Sequence, residues 1–313
     1  MKYVFGVDIG GTTVKLGFFD ESGKLLEKWE IPTDKTDGGK NIVPDVCASI
    51  KGRMSEKNIT ASDVLGVGVG APGAVDDNGV MTGGAVNLGW GVLNLRELME
   101  KELDGVKVVA ANDANVAAFG EMTSGGGKGY KNVVAVTLGT GVGGGIILGG
   151  KLLAGWSGAA GEIGHMKVDD EETEKCNCGH TGCLEQFASA TGIARLARKR
   201  LAEDDEPSVL RTADPLDAKA VFDAVKEGDE VAIDVAKKFG KYLGKGLANV
   251  ADVVNPEIFV IGGGVSKAGD ILIKYVEPEF RETVFPPCRG AKFALATLGN
   301  DAGIYGCAGM VLS

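Results

Sequence analysis

The sequence has no apolar run approaching the roughly 18 residues of a membrane-spanning helix, so no such span is expected. It has no excess of positive charge either. Thirty-three basic against 43 acidic residues give a net charge of −10, which argues against nucleic acid or an anionic membrane as partner. Strand-like sequence begins at Tyr3 and leaves no room for a secretory leader, so the expected location is cytoplasmic. No low-complexity tail or disordered linker interrupts the chain. Histidine is scarce: the two present, His165 and His180, fall in one short stretch.

That stretch, GEIGHMKVDDEETEKCNCGHTGCLE from Gly161 to Glu185, also holds three of the six cysteines, Cys176, Cys178 and Cys183. Soft thiolates with an imidazole nearby are what a tetrahedral zinc site requires. The plain alternative is three reduced thiols in a polar loop, although such a loop offers a thiol little apolar packing. A disulfide is disfavoured, because nothing marks the chain as secreted. The spacing C-x-C-x4-C is tighter than an ordinary zinc knuckle, and His180 competes with His165 as the nitrogen ligand.

Glycine is the residue in excess. Fifty of 313 residues is about twice the usual share of roughly 7%, and the glycines cluster in turns after apolar runs. Bare backbone at such turns suits phosphate. Residues 3–31 read as strand, glycine turn, strand, turn, strand, and 133–153 repeat that grammar. Aligning DIGGT at Asp8–Thr12 with TLGTG at Thr137–Gly141 brings GKLL at 23–26 within two residues of GKLL at 150–153. A repeat some 129 residues apart implies two similar lobes, each opening with a β-meander; chance likeness of two glycine-rich hairpins is the alternative. Gly10 and Gly11 lie within a meander and open no helix, which excludes a dinucleotide-binding fingerprint.

The remaining chain reads as an α/β protein long enough for two lobes. A helix is expected over 42–57 from Ile42, Val46, Ile50 and Met54, a strand over 63–73, and loop over 74–92. Asn94 and Glu97 resemble a capping box. KVVAAND at 107–113 is a strand delivering Asn112 and Asp113 to its carboxyl end, with a helix following. SGGGKGY at 124–130 is no P-loop, since Lys128 precedes Gly129 and not Ser or Thr; it reads as a mobile inter-lobe loop. Helices are expected over 186–203, 217–227 and 229–253, then a buried strand running into Gly262–Gly264 and a helix, and finally a strand and helix over 293–312. On their own residues, Asp8 is an acid in a tight turn, Asn112-Asp113 a helix cap, and Lys15 a solvated charge.

Taken in order, DIGGT, GVGAPG, NLGW, NDANVAAFGE, LGTGVGGG, GEIGH, C-x-C-x4-C-x-E and GGG resemble the signature of the ROK family of repressors, open reading frames and sugar kinases, nearly end to end. The resemblance implies a duplicated actin-like or hexokinase-type (ribonuclease H-like) fold with an inter-lobe cleft. The lobes would be residues 1–113, with 301–313 as a candidate completion, and 114–300, carrying the zinc loop 161–185. It implies that His165, Cys176, Cys178 and Cys183 hold a structural zinc. Sugar would meet Gly73, Asn87, Asn112, Asp113, Glu162, His165 and Glu185. ATP phosphates would meet Asp8, Gly10, Gly11, Thr12, Thr140 and Gly141, with adenosine at Gly263 and Gly264 and magnesium held through water by Asp8. Asp113 would be the general base.

The implied activity is ATP-dependent phosphorylation of a hexose, glucose at its 6-hydroxyl first, with N-acetylmannosamine, fructose or allose as alternatives. Family repressors carry an added helix-turn-helix, for which a strand beginning at Tyr3 and a charge of −10 leave no expectation. A filament or chaperone ATPase would share the duplicated lobes without needing the metal loop. Relatives of this kind form dimers or tetramers, so a homo-oligomer is expected.

Overall fold

The first apolar runs fold as the expected meander because glycine turns separate short β-branched and aromatic segments. In the computed structural model, which describes residues 1–313, β1 (Tyr3–Ile9), β2 (Thr13–Asp20) and β3 (Leu25–Pro32) pair antiparallel. A distorted single turn, α1 (Thr36–Gly39), leads into α2 (Ile42–Glu56), which buries Ile42, Val46 and Ile50 along one stripe. β4 (Val64–Ala71) then runs parallel to β1. The segment expected to be loop carries one short strand, β5 (Val80–Met81), which pairs with β6 (Leu93–Asn94) just beyond it; two-residue strands are too short to show a period. Asn94 caps α3 (Leu95–Glu102) by accepting from the Glu97 N–H at 3.1 Å. β7 (Val108–Asn112) completes a five-stranded sheet of order β3-β2-β1-β4-β7.

After α4 (Asp113–Ser124) the plan repeats. β8 (Val133–Leu138), β9 (Val142–Leu148) and β10 (Lys151–Leu152) form the second meander. The helices α5 (Glu185–Ala188), α6 (Ala190–Leu201), α7 (Ala218–Lys226) and α8 (Glu230–Val254) precede β11 (Ile258–Gly262). The helix expected over 186–203 breaks at Ser189, whose hydroxyl accepts from Gly192 N–H at 3.0 Å and so caps α6. A 3-10 turn at Gly264–Ala268 separates the glycine run from α9 (Ile271–Thr283). β12 (Lys292–Leu295) completes a sheet of order β10-β9-β8-β11-β12, strand for strand the arrangement of the first.

α10 (Ala302–Leu312) returns to the first sheet. Its approach is set by glycine: a Cβ at Gly68 would stand 1.8 Å from the Cys307 carbonyl oxygen. α4 crosses α10 just as closely, since a Cβ at Gly306 would lie 1.6 Å from the Val116 carbonyl oxygen. α4 packs on β8 and β9 through residues such as Ala118. The two crossed helices therefore lie between the sheets, and the expected boundary at residue 113 falls on the first residue of α4. Each sheet has its own core. Phe5, Leu16, Val67 and Leu95 anchor the first, and Val136, Phe239, Phe259 and Phe280 the second. No helix is long and apolar enough to cross a membrane.

Candidate active site

The glycine turns all lie at carboxyl ends of strands, where α/β sheets leave backbone N–H groups free for ligands. After β1, the Gly10 N–H bonds the Thr13 carbonyl at 3.0 Å, and the Thr33 hydroxyl donates to the Gly10 carbonyl at 2.7 Å. This leaves Thr12 exposed at the tip. Asn87 reaches this turn, its Nδ2 3.6 Å from where a Gly11 Cβ would be. After β8, Gly139 N–H bonds the Gly141 carbonyl at 3.0 Å and Ala190 N–H bonds the Gly139 carbonyl at 2.8 Å, tying the turn to α6.

After β11, Gly263 holds φ +86°, and a Cβ there would stand 2.4 Å from the Leu138 carbonyl oxygen. Gly263 and Gly264 line a cleft of about 520 Å³ together with Thr137, Glu121, Thr297 and Asn300. Asp8, Gly10, Gly11, Thr12, Thr140 and Gly141 do not line that cavity. Their turns stand at the ends of β1 and β8, outside it.

Two acids converge where β1 and β7 end. Asp8 is half-buried, with α10 against it: a Cβ at Gly303 would be 2.4 Å from Asp8 Oδ2. Burial pushes its carboxyl up to about 6, the charge of Asp113 adds to the rise, and Lys15 opposes it. Lys15 is Asp8's partner in the β1–β2 ladder, and its ammonium donates to the Asn300 carbonyl at 3.1 Å, so it is not a free solvated charge.

Asp113 begins α4, with Oδ1 accepting from Ala114 N–H at 2.8 Å. Its side chain can be reached from solvent, but the crevice around it removes much of its hydration; that desolvation raises its proton affinity, and Glu162's charge adds to the rise. The helix cap is Asn112, not Asp113: Asn112 Oδ1 accepts from Ala114 and Asn115 N–H at 2.9 and 3.2 Å, and its amide donates to the Gly73 carbonyl at 3.0 Å. The Asn112 side chain also bonds the Asp113 carboxylate, which partly offsets the rise that desolvation gives that acid.

The cysteine loop closes on itself. Cys176 N–H bonds the His180 carbonyl at 2.7 Å, and Lys167 and Cys183 form an antiparallel bridge. One donor atom each from His165, Cys176, Cys178 and Cys183 lie within 4.8 Å of one another; His180 is not in the group. Cys178 and Cys183 sulfurs are 3.6 Å apart, and Cys176 Sγ is 3.9 Å from His165 Nδ1. A tetrahedron with zinc–sulfur bonds of about 2.3 Å and a zinc–nitrogen bond of about 2.0 Å has edges of about 3.5–3.8 Å. The donor set and its spacing therefore fit zinc, with His165 Nε2 left for another partner.

Glu185 joins this loop to the turn after β8. Its Oε2 accepts from Val142 N–H at 3.1 Å, its Oε1 is 3.6 Å from Cys176 Sγ, and a Cβ at Gly141 would stand 2.1 Å from Oε2.

Sequence reasoning missed Thr137, Glu121, Thr297 and Asn300 as cleft residues. The 129-residue repeat places Thr137 opposite Asp8 and could have found it. Glu121 stands inside NDANVAAFGE with no local cue to its role.

Sequence comparison matches the ROK family over residues 4–313. A glucokinase of Halalkalibacterium halodurans is 46% identical over 309 residues, covering 97% of this chain and 93% of that protein. The crystal structure of a ROK family glucokinase from Streptomyces griseus in complex with glucose and AMPPNP is 35% identical, with a TM-score of 0.73 and 98% of each chain covered. A ROK hexokinase from Thermus thermophilus is 30% identical, with a TM-score of 0.79 and coverage of 98% and 96%. The duplicated sheets, the crossed helices between them and the cysteine loop thus agree with an end-to-end sequence match, and the chain belongs to the ROK family.

Proposed function

We propose that the protein is an ATP-dependent glucokinase, transferring the γ-phosphoryl group to the 6-hydroxyl of glucose. The observation that carries the reading is Asp113: an acid at the first residue of α4, between the two sheets, in a crevice that strips much of its hydration and so raises its proton affinity while leaving it reachable from solvent. A carboxylate so placed accepts the 6-hydroxyl proton as the O6–Pγ bond forms and the bond from Pγ to the β–γ bridging oxygen breaks. The glucose and AMPPNP bound by the Streptomyces griseus relative support the same pair of substrates here.

We divide the chain into one lobe of residues 1–113 with 301–313 and another of 114–300. The nucleotide lies between them, adenosine against Gly263 and Gly264, phosphates toward Gly10, Gly11, Thr12, Thr140 and Gly141. Two neighbouring acids with one lysine nearby suit a cation, and Asp8 is assigned to magnesium through water. Glucose is held by Gly73, Asn87, Asn112, Glu162, His165 and Glu185. His165, Cys176, Cys178 and Cys183 would hold a zinc that supplies rigidity and no chemistry. Held so, the loop would be braced and the His165 tautomer fixed, with Nε2 left for a sugar hydroxyl. The reading also carries a cytoplasmic homo-oligomer of two or four chains.

A panel of glucose, N-acetylmannosamine, fructose and allose in a coupled ADP-release assay tests the substrate. Glucose is expected to show the highest kcat/KM. A higher value for another hexose replaces glucose as the substrate, and no ADP release with any of them removes the kinase reading.

A further inference from the structure

α4 carries two acids with different surroundings. Asp113 begins the helix at the crevice, whereas Glu121, two turns on, is 4% exposed and has no part in the mechanism above. Its carboxylate accepts three backbone N–H groups: Gly126 at 2.8 Å and Thr297 at 3.1 Å on Oε2, and Leu298 at 2.9 Å on Oε1. These donors come from two distant segments, the glycine loop after α4 and the bend between β12 and α10. A Cβ at Gly125 would stand 2.0 Å from Oε2, and one at Gly126 2.4 Å from the Leu295 carbonyl oxygen. The glycines are what let both segments close on the carboxylate. The loop expected to be mobile is thus pinned.

The bend held by Glu121 is a wall of the 520 Å³ cleft, contributing Thr297, Gly299 and Asn300. It also reaches the other half of the site. The Asn300 carbonyl accepts the Lys15 ammonium at 3.1 Å, and Lys15 faces Asp8 across the β1–β2 ladder. A continuous set of hydrogen bonds and ladder contacts runs from Glu121 through 297–300 and Lys15 to Asp8.

We propose that Glu121 is a positioning residue for nucleotide: it fixes the 297–300 wall relative to the helix that bears Asp113 and, through Asn300 and Lys15, relative to Asp8. The inference rests on the kinase reading for the identity of its ligand, ATP. A carboxylate that only satisfied buried donors would affect stability and both substrates alike. A positioning role affects nucleotide alone.

The test is Glu121→Gln, which keeps size and one acceptor but turns an amide N–H₂ toward a backbone donor. Losing a charge-assisted hydrogen bond at the wall is expected to weaken AMPPNP binding about tenfold by calorimetry. Glucose affinity should stay within about twofold, because its groups lie outside the clamp. In a steady-state assay KM for ATP should rise more than kcat falls. Unchanged AMPPNP affinity, or an equal loss for both ligands, overturns the proposal. The AMPPNP titration requires no turnover, so a protein that phosphorylates no hexose would still report on Glu121 separately from the kinase reading. If Glu121→Gln does not fold, hydrogen exchange on the unaltered protein decides. Saturating AMPPNP should slow exchange at the amides of Thr297 and Leu298 severalfold, and exchange there that nucleotide leaves unchanged overturns the proposal.

Discussion

The two sheets share one strand order but carry different chemistry at matching places. At the end of β1 stands Asp8, and 129 residues on, in the same position of β8, stands Thr137. The turn after β1 is closed by Thr33, and the acids Asp8 and Asp113 gather beside it. The turn after β8 is bare backbone, closed by α6 and by Glu185 from the cysteine loop. The backing differs too. The first sheet rests on α2 and α3, the second on α5 to α9 with the larger core. Duplication thus supplies the frame, and function lies in what was changed at equivalent positions: one half concentrates negative charge, and the other presents backbone and adds a loop that gathers three cysteines and a histidine.

The deepest cut through that division removes the charge to which the proposed reading assigns the chemistry. Asp113→Asn keeps size and hydrogen bonding but cannot take the hydroxyl proton, so kcat should fall about 10²–10⁴-fold. Glucose affinity by calorimetry should change little, placing the loss in the chemical step. Glu185→Gln, on the other half, should show the reverse, with KM for glucose rising more than kcat falls. Near-normal turnover in Asp113→Asn would mean the proton leaves by another route.

The next largest effect concerns the imported loop. If one ring serves both metal and sugar, as proposed, His165→Ala should lower the zinc content per chain and weaken glucose binding about tenfold or more. His180→Ala should change neither, since its carbonyl, not its ring, closes the loop. Elemental analysis and glucose calorimetry on both variants separate the two histidines. Equal damage from both, or no zinc in the unaltered protein, removes the ligand assignment.

What could be read from the sequence follows contact distance along the chain. The meanders were legible because glycine pairs sit between short β-branched runs, and α8 because its apolar stripe is long. The cysteine cluster was legible because its ligands fall within one loop. The rest depended on encounters between distant segments. Glu121 meets amides 176 and 177 residues away, Glu185 meets one 43 residues away, and Lys15 meets a carbonyl 285 residues away. Asn112 was legible as part of a motif, but not that its oxygen would be used up capping α4. The β5–β6 hairpin was too short for any period to reveal it.

The smallest effect is one of stability, and it tests whether the first sheet bears a cost that the second does not. Asp8's carboxyl is pushed up to about 6 from 3.8, first by burial and then by Asp113. Between those values the folded protein holds a proton that the unfolded chain has released. Stability therefore falls as pH rises from 4 to 6, and the cost is fully present at pH 7. At 1.36 kcal/mol per unit the shift corresponds to about 3 kcal/mol, and to about 2 kcal/mol once solvent at the crevice is allowed for. Asp8→Asn should accordingly raise stability in chemical denaturation at pH 7 by about 2 kcal/mol while abolishing the magnesium assignment, and the gain should vanish by about pH 4. Thr137→Ala, the matching position in the second sheet, should move stability by no more than about 0.5 kcal/mol at either pH. An Asp8→Asn protein no more stable than the parent at pH 7 would show that the first sheet accommodates its acids without cost, and the energetic contrast between the halves would be gone.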